Sequence, residues 1–237
     1  MGLMTLGAIK DEIRAAVGNR TDWDSRLNNV VNIALTRLAR LKDFDELRGN
    51  ILLTTAFTGD PANDKFLSIS PIGRYRKIYD VRLYADNQLS RKLIKVLPSK
   101  WDSAIPEPEY YAVGTPKYYM RWTKTQLELW RVPDRVYNVH IRYSRWPNQA
   151  TDAKDGSVID IDEADDIIIH LSASYLFLLA GNTERSNEHY KIYAALAREA
   201  AFFEEEDFDT HMSAVGPFDQ GTGSRGYDDP FVQEMPR

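Results

Sequence analysis

A block of short β-forming runs interrupts an otherwise helical sequence, and this segregation constrains the fold more than any single motif does. Leu6, Ile9, Ile13 and Val17 recur at helical spacing, with Thr5 placed to cap the helix and Gly18-Asn19 to stop it. A second helix follows, carrying the apolar stripe Leu27, Val30, Val31, Ala34, Leu38 and Leu41, with Asp22 or Asp24 as its expected cap. The segment Asp43-Phe44-Asp45-Glu46-Leu47 is expected to finish this region as a short helical turn. Near the other end, Ala164–Ala180 and the stretch from Thr183 to Phe208 read as two further helices separated by Gly181-Asn182. Helices this far apart in sequence each carry an apolar face that one of the others must cover.

The middle follows a different rule. Ile51–Phe57, Phe66–Ile69, Ile78–Tyr84 and Leu89–Leu97 are short runs rich in β-formers, set off by Gly49-Asn50, by Thr58-Gly59-Asp60-Pro61 and by Asp86-Asn87. Pro98–Ser103 reads as a helical turn and Glu107–Pro116 as a loop. Lys117–Thr123, Gln126–Val132 and Arg135–Trp146 are the clearest strands, with hairpins expected at Thr123-Lys124-Thr125 and at Pro133-Asp134. Alternation puts Tyr119, Arg121 and Thr123 on one face and Tyr118, Met120 and Trp122 on the other. The expected fold is α+β. Residues 1–48 and 160–208 form one helical bundle, and residues 49–159 form an inserted small antiparallel β-domain, a sheet or barrel-like sandwich. Residues 209–237, rich in Gly, Pro and Asp and without periodicity, form an extended tail with no core of its own.

With 237 residues, 43% of them hydrophobic, the chain can bury a sizeable core. Its net charge of -5 argues against a domain that grips DNA regardless of sequence, because such domains are basic. The absence of cysteine excludes disulfides and thiolate metal sites. No basic-then-apolar leader opens the chain, so a signal peptide is not expected. The longest apolar run, Ile167–Ala180, is too short to span a bilayer.

The residues that carry chemistry do not gather into a motif. His140, His170, His189 and His211 are dispersed, and none belongs to a metal-binding spacing. Asp152 and Asp155 before Gly156 sit in a stretch faintly like a calcium loop but lack its alternating oxygens and final glutamate. Asp160, Asp162, Glu163, Asp165 and Asp166 could supply paired carboxylates for acid–base work, yet they also suit the solvated start of a helix, where negative charge is favourable. No nucleophile motif or phosphate-binding loop occurs in a strand-to-helix context. Two basic runs, Gly73–Lys77 and Ser90-Arg91-Lys92, lie near aromatic residues, the ingredients of a nucleic-acid platform; short basic runs also protect sheet edges. No catalytic residue, metal or cofactor is expected.

The order of segments resembles the head-to-tail adaptors of tailed bacteriophages, also called connector or head-completion proteins. The resemblance is carried by Leu6–Arg14, by Asp24–Ala34 and by Asp43–Leu47. In the middle it is carried by Gly114–Tyr119, Leu127–Asp134 and Tyr137–Pro147, and beyond them by the helix pair from Asp162 with Tyr175, Leu176, Tyr190 and Tyr193. It spans about Leu6–Phe208; the tail shows no family pattern. It implies a ring, usually of twelve copies, under the portal protein in the neck of the virion. The protein would be made in the host cytoplasm and would have no membrane partner. The ring would extend the channel through which genomic DNA passes without sequence-specific binding. It would also present a surface to the next tail protein, such as a nozzle, stopper or tail-tube component. A ring subunit needs two different complementary faces. The tail Gly216–Arg237, with Phe218, Tyr227, Phe231 and Met235, is the expected docking arm toward the portal or a neighbouring copy. A nucleic-acid-binding module is the alternative reading, and a tail-associated cell-wall hydrolase a third.

Overall fold

The computed structural model describes residues 4–84, 91–105, 107–162 and 164–202. In chain order its elements are α1 (Leu6–Ala16), α2 (Asp24–Leu41), β1 (Arg48–Thr54), α3 (Pro61–Asp64), β2 (Phe66–Ser68), β3 (Tyr75–Tyr84) and β4 (Arg91–Lys92). They continue with β5 (Ile94–Lys95), α4 (Pro98–Ala104), β6 (Tyr118–Arg121), β7 (Gln126–Trp130), β8 (Asn138–Arg145), α5 (Asp165–Leu179) and α6 (Thr183–Phe202). The chain is α+β, and among the described residues its contacts gather into two units. One holds residues 4–48 and 146–202, the other residues 49–145.

In the helical unit, α5 packs on α1, α2 and α6. This explains its composition. Ile167, Ile168, Ile169, Leu171, Leu176 and Phe177 are all buried, because a helix covered on most sides cannot carry a polar stripe. Ser172, Ala173 and Ser174 are also buried, and their small side chains let neighbouring helices approach. Ser186 of α6 donates to the Ser174 carbonyl across 2.9 Å. Helices α5 and α6 thus share one core with Leu6, Ile9 and Ile13 of α1 and Leu27, Val31 and Leu38 of α2. Thr5 caps α1 as expected, its hydroxyl accepting from the Ala8 amide. The next free amides of α1, at Leu6 and Gly7, donate to the carbonyls of Ser157 and Asp155. The chain from Trp146 through Ile161 therefore makes helical-unit contacts, and Asn32 exchanges two hydrogen bonds with the Ala150 backbone. Neither Asp22 nor Asp24 caps α2, which instead grows out of a 3₁₀ turn at Thr21–Trp23. Both carboxylates face guanidinium groups, Asp22 with Arg20 and Asp24 with Arg14.

In the β-unit, one sheet has the order β1-β8-β3-β4 and the other β2-β7-β6-β5. They pack face to face. Val81, Leu83, Val139 and Ile141 from the first meet Leu67, Tyr119, Leu127 and Leu129 from the second in one buried cluster. The outer side of the second sheet is covered in turn by α4, whose Trp101 packs with Val96, Ile105, Tyr118, Met120 and Trp130. Strands β6 and β7 are therefore buried on both faces, and the alternation of Tyr118 and Met120 against Tyr119 holds. Trp122 lies beyond the end of β6 and is 55% exposed.

Three expectations about the middle change. Pro133-Asp134 does not close a hairpin: β7 and β8 belong to different sheets, and the chain crosses between them there. The expected strand Leu89–Leu97 is two short strands, β4 and β5, again in different sheets, and β5 pairs with β6 in parallel. Gly49-Asn50 does not break the chain but lies within β1, where the Tyr143 ring sits so close that a Cβ on Gly49 would meet it at 3.0 Å. Glycine here makes room for a neighbouring ring and leaves the strand intact. The Thr58–Pro61 turn is held by buried Asp64, which accepts from the Thr58 amide and hydroxyl and from the Gly59 amide.

Candidate assembly surfaces

The residues with catalytic potential fall into separate, internally matched groups. Lys10 projects from the buried face of α1 and is only 3% exposed. Its ammonium reaches Asp152 at 3.0 Å and Asp155 at 2.5 Å. The stretch with a faint likeness to a calcium loop thus turns its carboxylates toward a lysine of the same chain. Asp152 also accepts from Asn28 at 2.8 Å, and that hydrogen bond and then Lys10 hold its pKa below the usual carboxylate value. The spacing Leu6, Lys10, Ile13, Val17 carries the signal for this buried amine, since it places Lys10 on the apolar face.

The acidic helix start is likewise dispersed. Asp160 accepts from the Asn148 amide and side chain. Asp165 accepts from the Met4 amide at 2.9 Å, tying the start of the chain to α5. Asp162 and Asp166 line an open depression of about 450 Å³ in the helical unit. Phe44, Ile167 and Leu196 give it apolar walls, with Lys42, Glu46 and Glu199 around them. Four carboxylates against one lysine suit a basic side chain with an apolar stem. Glu163 and His211 lie outside the described residues.

Two histidines that are distant in sequence meet in the fold. His170 of α5 and His189 of α6 approach with Nδ1 atoms 3.0 Å apart, and Phe177 stacks on His189 at 5.4 Å. Burial first, then His170, lowers the His189 pKa. His140 stands on β8 with Tyr84 edge-on to it. Among the described residues no three His, Cys, Asp or Glu side chains are arranged to hold a metal ion.

The β-unit holds a buried charge network around Lys65. Lys65 contacts Glu109 at 2.7 Å and Glu128 at 3.4 Å. Burial raises the Glu128 pKa despite Lys65. For Lys65 itself, burial acts to lower the pKa but the two glutamates outweigh it. The network fastens the loop at Pro108–Tyr110 to β7. Of the two basic runs, Arg76 and Lys77 lie in β3 and Arg91-Lys92 form β4; Ser90 lies outside the described residues.

Charge is divided between the parts of the chain in a way its net value conceals. Residues 49–145 carry 16 Lys and Arg against 9 Asp and Glu, a net charge of +7. Residues 1–48 and 146–202 together carry 12 against 17, or -5, and residues 203–237 carry 2 against 9, or -7. Phe218, Tyr227, Phe231 and Met235 belong to that last segment and lie outside the described residues. No helix of the described residues is long and apolar enough to cross a membrane.

The described residues thus form a helical unit from α1, α2, α5 and α6 and an inserted β-sandwich, and the two units carry opposite net charges. A family model described as SU10 adaptor protein matches residues 4–218. The chain belongs to this family, which is one of phage head-tail adaptors. No curated protein matches the chain.

Proposed function

We infer that this protein is a structural ring component of the phage neck, bound under the portal, extending the DNA channel and receiving the next tail protein. The observation that carries the reading is the family match, which runs across both units. The structure adds physical support. A closed ring is a heterologous assembly in which each copy offers two different faces. Opposite net charges, +7 on the β-unit and -5 on the helical unit with its acidic depression, support a reading in which unlike surfaces of neighbouring copies meet. The net charge of -5 suits a channel that DNA must pass without sticking. The protein works without catalysis, as an assembly part whose contacts are its activity. Residues 209–237 act as an arm, with Phe218, Tyr227, Phe231 and Met235 as its apolar anchors on the portal or a neighbouring copy.

The test is co-assembly with the portal protein of the same phage. The full chain is expected to be monomeric or weakly associated alone and to form a ring, of about twelve copies, on the portal. The chain lacking Gly216–Arg237 is expected to stay folded and fail to join. Particle images without a ring would sink the ring reading, and unchanged co-assembly of the shortened chain would sink the arm.

A further inference from the structure

The outer face of the β1-β8-β3-β4 sheet carries a row of basic side chains that edge protection does not explain. Arg82 on β3 is in register with Lys92 on β4 and with His140 on β8, so three basic side chains cross three adjacent strands in one line. The next row pairs Asp80 with exposed Arg142. Arg82 and Arg142 stand on the two central strands, where no backbone edge needs guarding. Their inward neighbours Val81, Leu83, Val139 and Ile141 fill the core, which fixes the cations on the opposite side. Asp80, 5% exposed, lies beneath them and contacts Arg82 and Lys92. One buried carboxylate thus holds two cations in place without balancing the face. Exposed Tyr84 adds an aromatic edge against His140.

We propose that in the free chain this face is covered by the protein's own C-terminal segment, residues 203–237. That segment carries 9 acidic and 2 basic residues and includes the run Glu204-Glu205-Glu206-Asp207 near its start. Its 35 residues can span about 115 Å when extended, more than enough to reach any face of a domain this size. A tethered polyanion meets the face at an effective concentration on the order of millimolar, above that of a second copy in dilute solution. Exposed charge pairs are individually weak and screened by salt, so the cover is reversible. The clasp goes beyond the portal-docking reading: it concerns the free chain, and it keeps the basic face from a neighbouring copy until a partner draws the arm away.

The chain has no cysteine, so Ser224→Cys provides a single attachment point for a nitroxide in the full-length protein. Amide signals of Arg82, His140 and Arg142 are then compared between the oxidised and reduced label, with no portal present. They are expected to fall below about half intensity at about 0.05 M salt and to recover at about 1 M, where the screening length is about 3 Å. The loss is expected to be independent of protein concentration. It is also expected to vanish when the labelled chain is mixed, as a separate molecule, with isotope-enriched unlabelled chain. Unchanged signals, or a loss that survives high salt, would overturn the clasp. A loss carried into the mixed sample would assign the arm to a second copy instead. Recovery on adding an equal concentration of short duplex DNA would show that the face prefers nucleic acid. Each of these results leaves the co-assembly test with portal untouched.

Discussion

Arg37 on α2 donates to the phenolic oxygen of Tyr175 on α5 at 2.9 Å, joining residues 138 apart in sequence. The same guanidinium donates to Tyr190 of α6 at 3.0 Å and lies over the rings of Tyr190 and Tyr193. One planar cation thus ties the amino-terminal helix to both carboxyl-terminal ones, a geometry that lysine's point charge does not reproduce. Arg37→Ala is expected to lower stability by about 1–2 kcal/mol. Arg37→Lys is expected to recover less than half of that. Urea midpoints of the three proteins at one pH check both statements.

Lys10 is the buried end of a charge cluster whose carboxylates reach solvent. Because Asp152 and Asp155 can rehydrate when the amine is removed, Lys10→Met is expected to cost about 1 kcal/mol or less, well below the loss typical of a fully buried pair. Lys10→Glu, which buries a carboxylate beside two others, is expected to unfold the helical unit. Far-ultraviolet circular dichroism during thermal melting distinguishes the two. The Asp152 pKa is depressed in the fold. The stability this group contributes is therefore present above its unfolded value of about 3.8 and is lost as pH falls through the folded value. Lys10→Met is expected to flatten that acid limb.

The histidine contact between α5 and α6 acts in the same direction in protons, but at higher pH. With the His189 pKa lowered by burial and by His170, the unfolded chain binds more protons between the folded value and about 6.5. Stability is expected to rise with pH through that window and to level off above about 6.5. His189→Gln is expected to reduce the dependence. The check is the denaturant midpoint from pH 5 to 8 for both proteins.

Gly49 is a packing position within β1. Gly49→Ala is expected to push the Tyr143 ring and destabilise the protein by about 1 kcal/mol. The double change Gly49→Ala with Tyr143→Leu is expected to be less than additive, because the second removes the atoms that the first would strike. Thermal melts of the cycle provide the coupling.

Local pattern alone determines that the segments flanking the β-unit are helical, that Thr5 caps the first helix and that Gly181 lets the chain turn out of α5 with a positive φ of 77°. Tyr118, Tyr119 and Met120 likewise alternate between two faces. These are short-range consequences of backbone geometry, readable within a few residues. The tertiary structure decides what covers each face. It sends β7 and β8 into different sheets, makes Gly49 a neighbour of Tyr143, and places His170 against His189 and Lys10 between two aspartates. Arg37 shows no sign of its role in the sequence, because its partners come from helices more than a hundred residues away. The charge partition stands between the two cases. Its counts are in the sequence, but only the contacts define which residues belong together, and so only the fold turns a net charge of -5 into one basic unit and one acidic one.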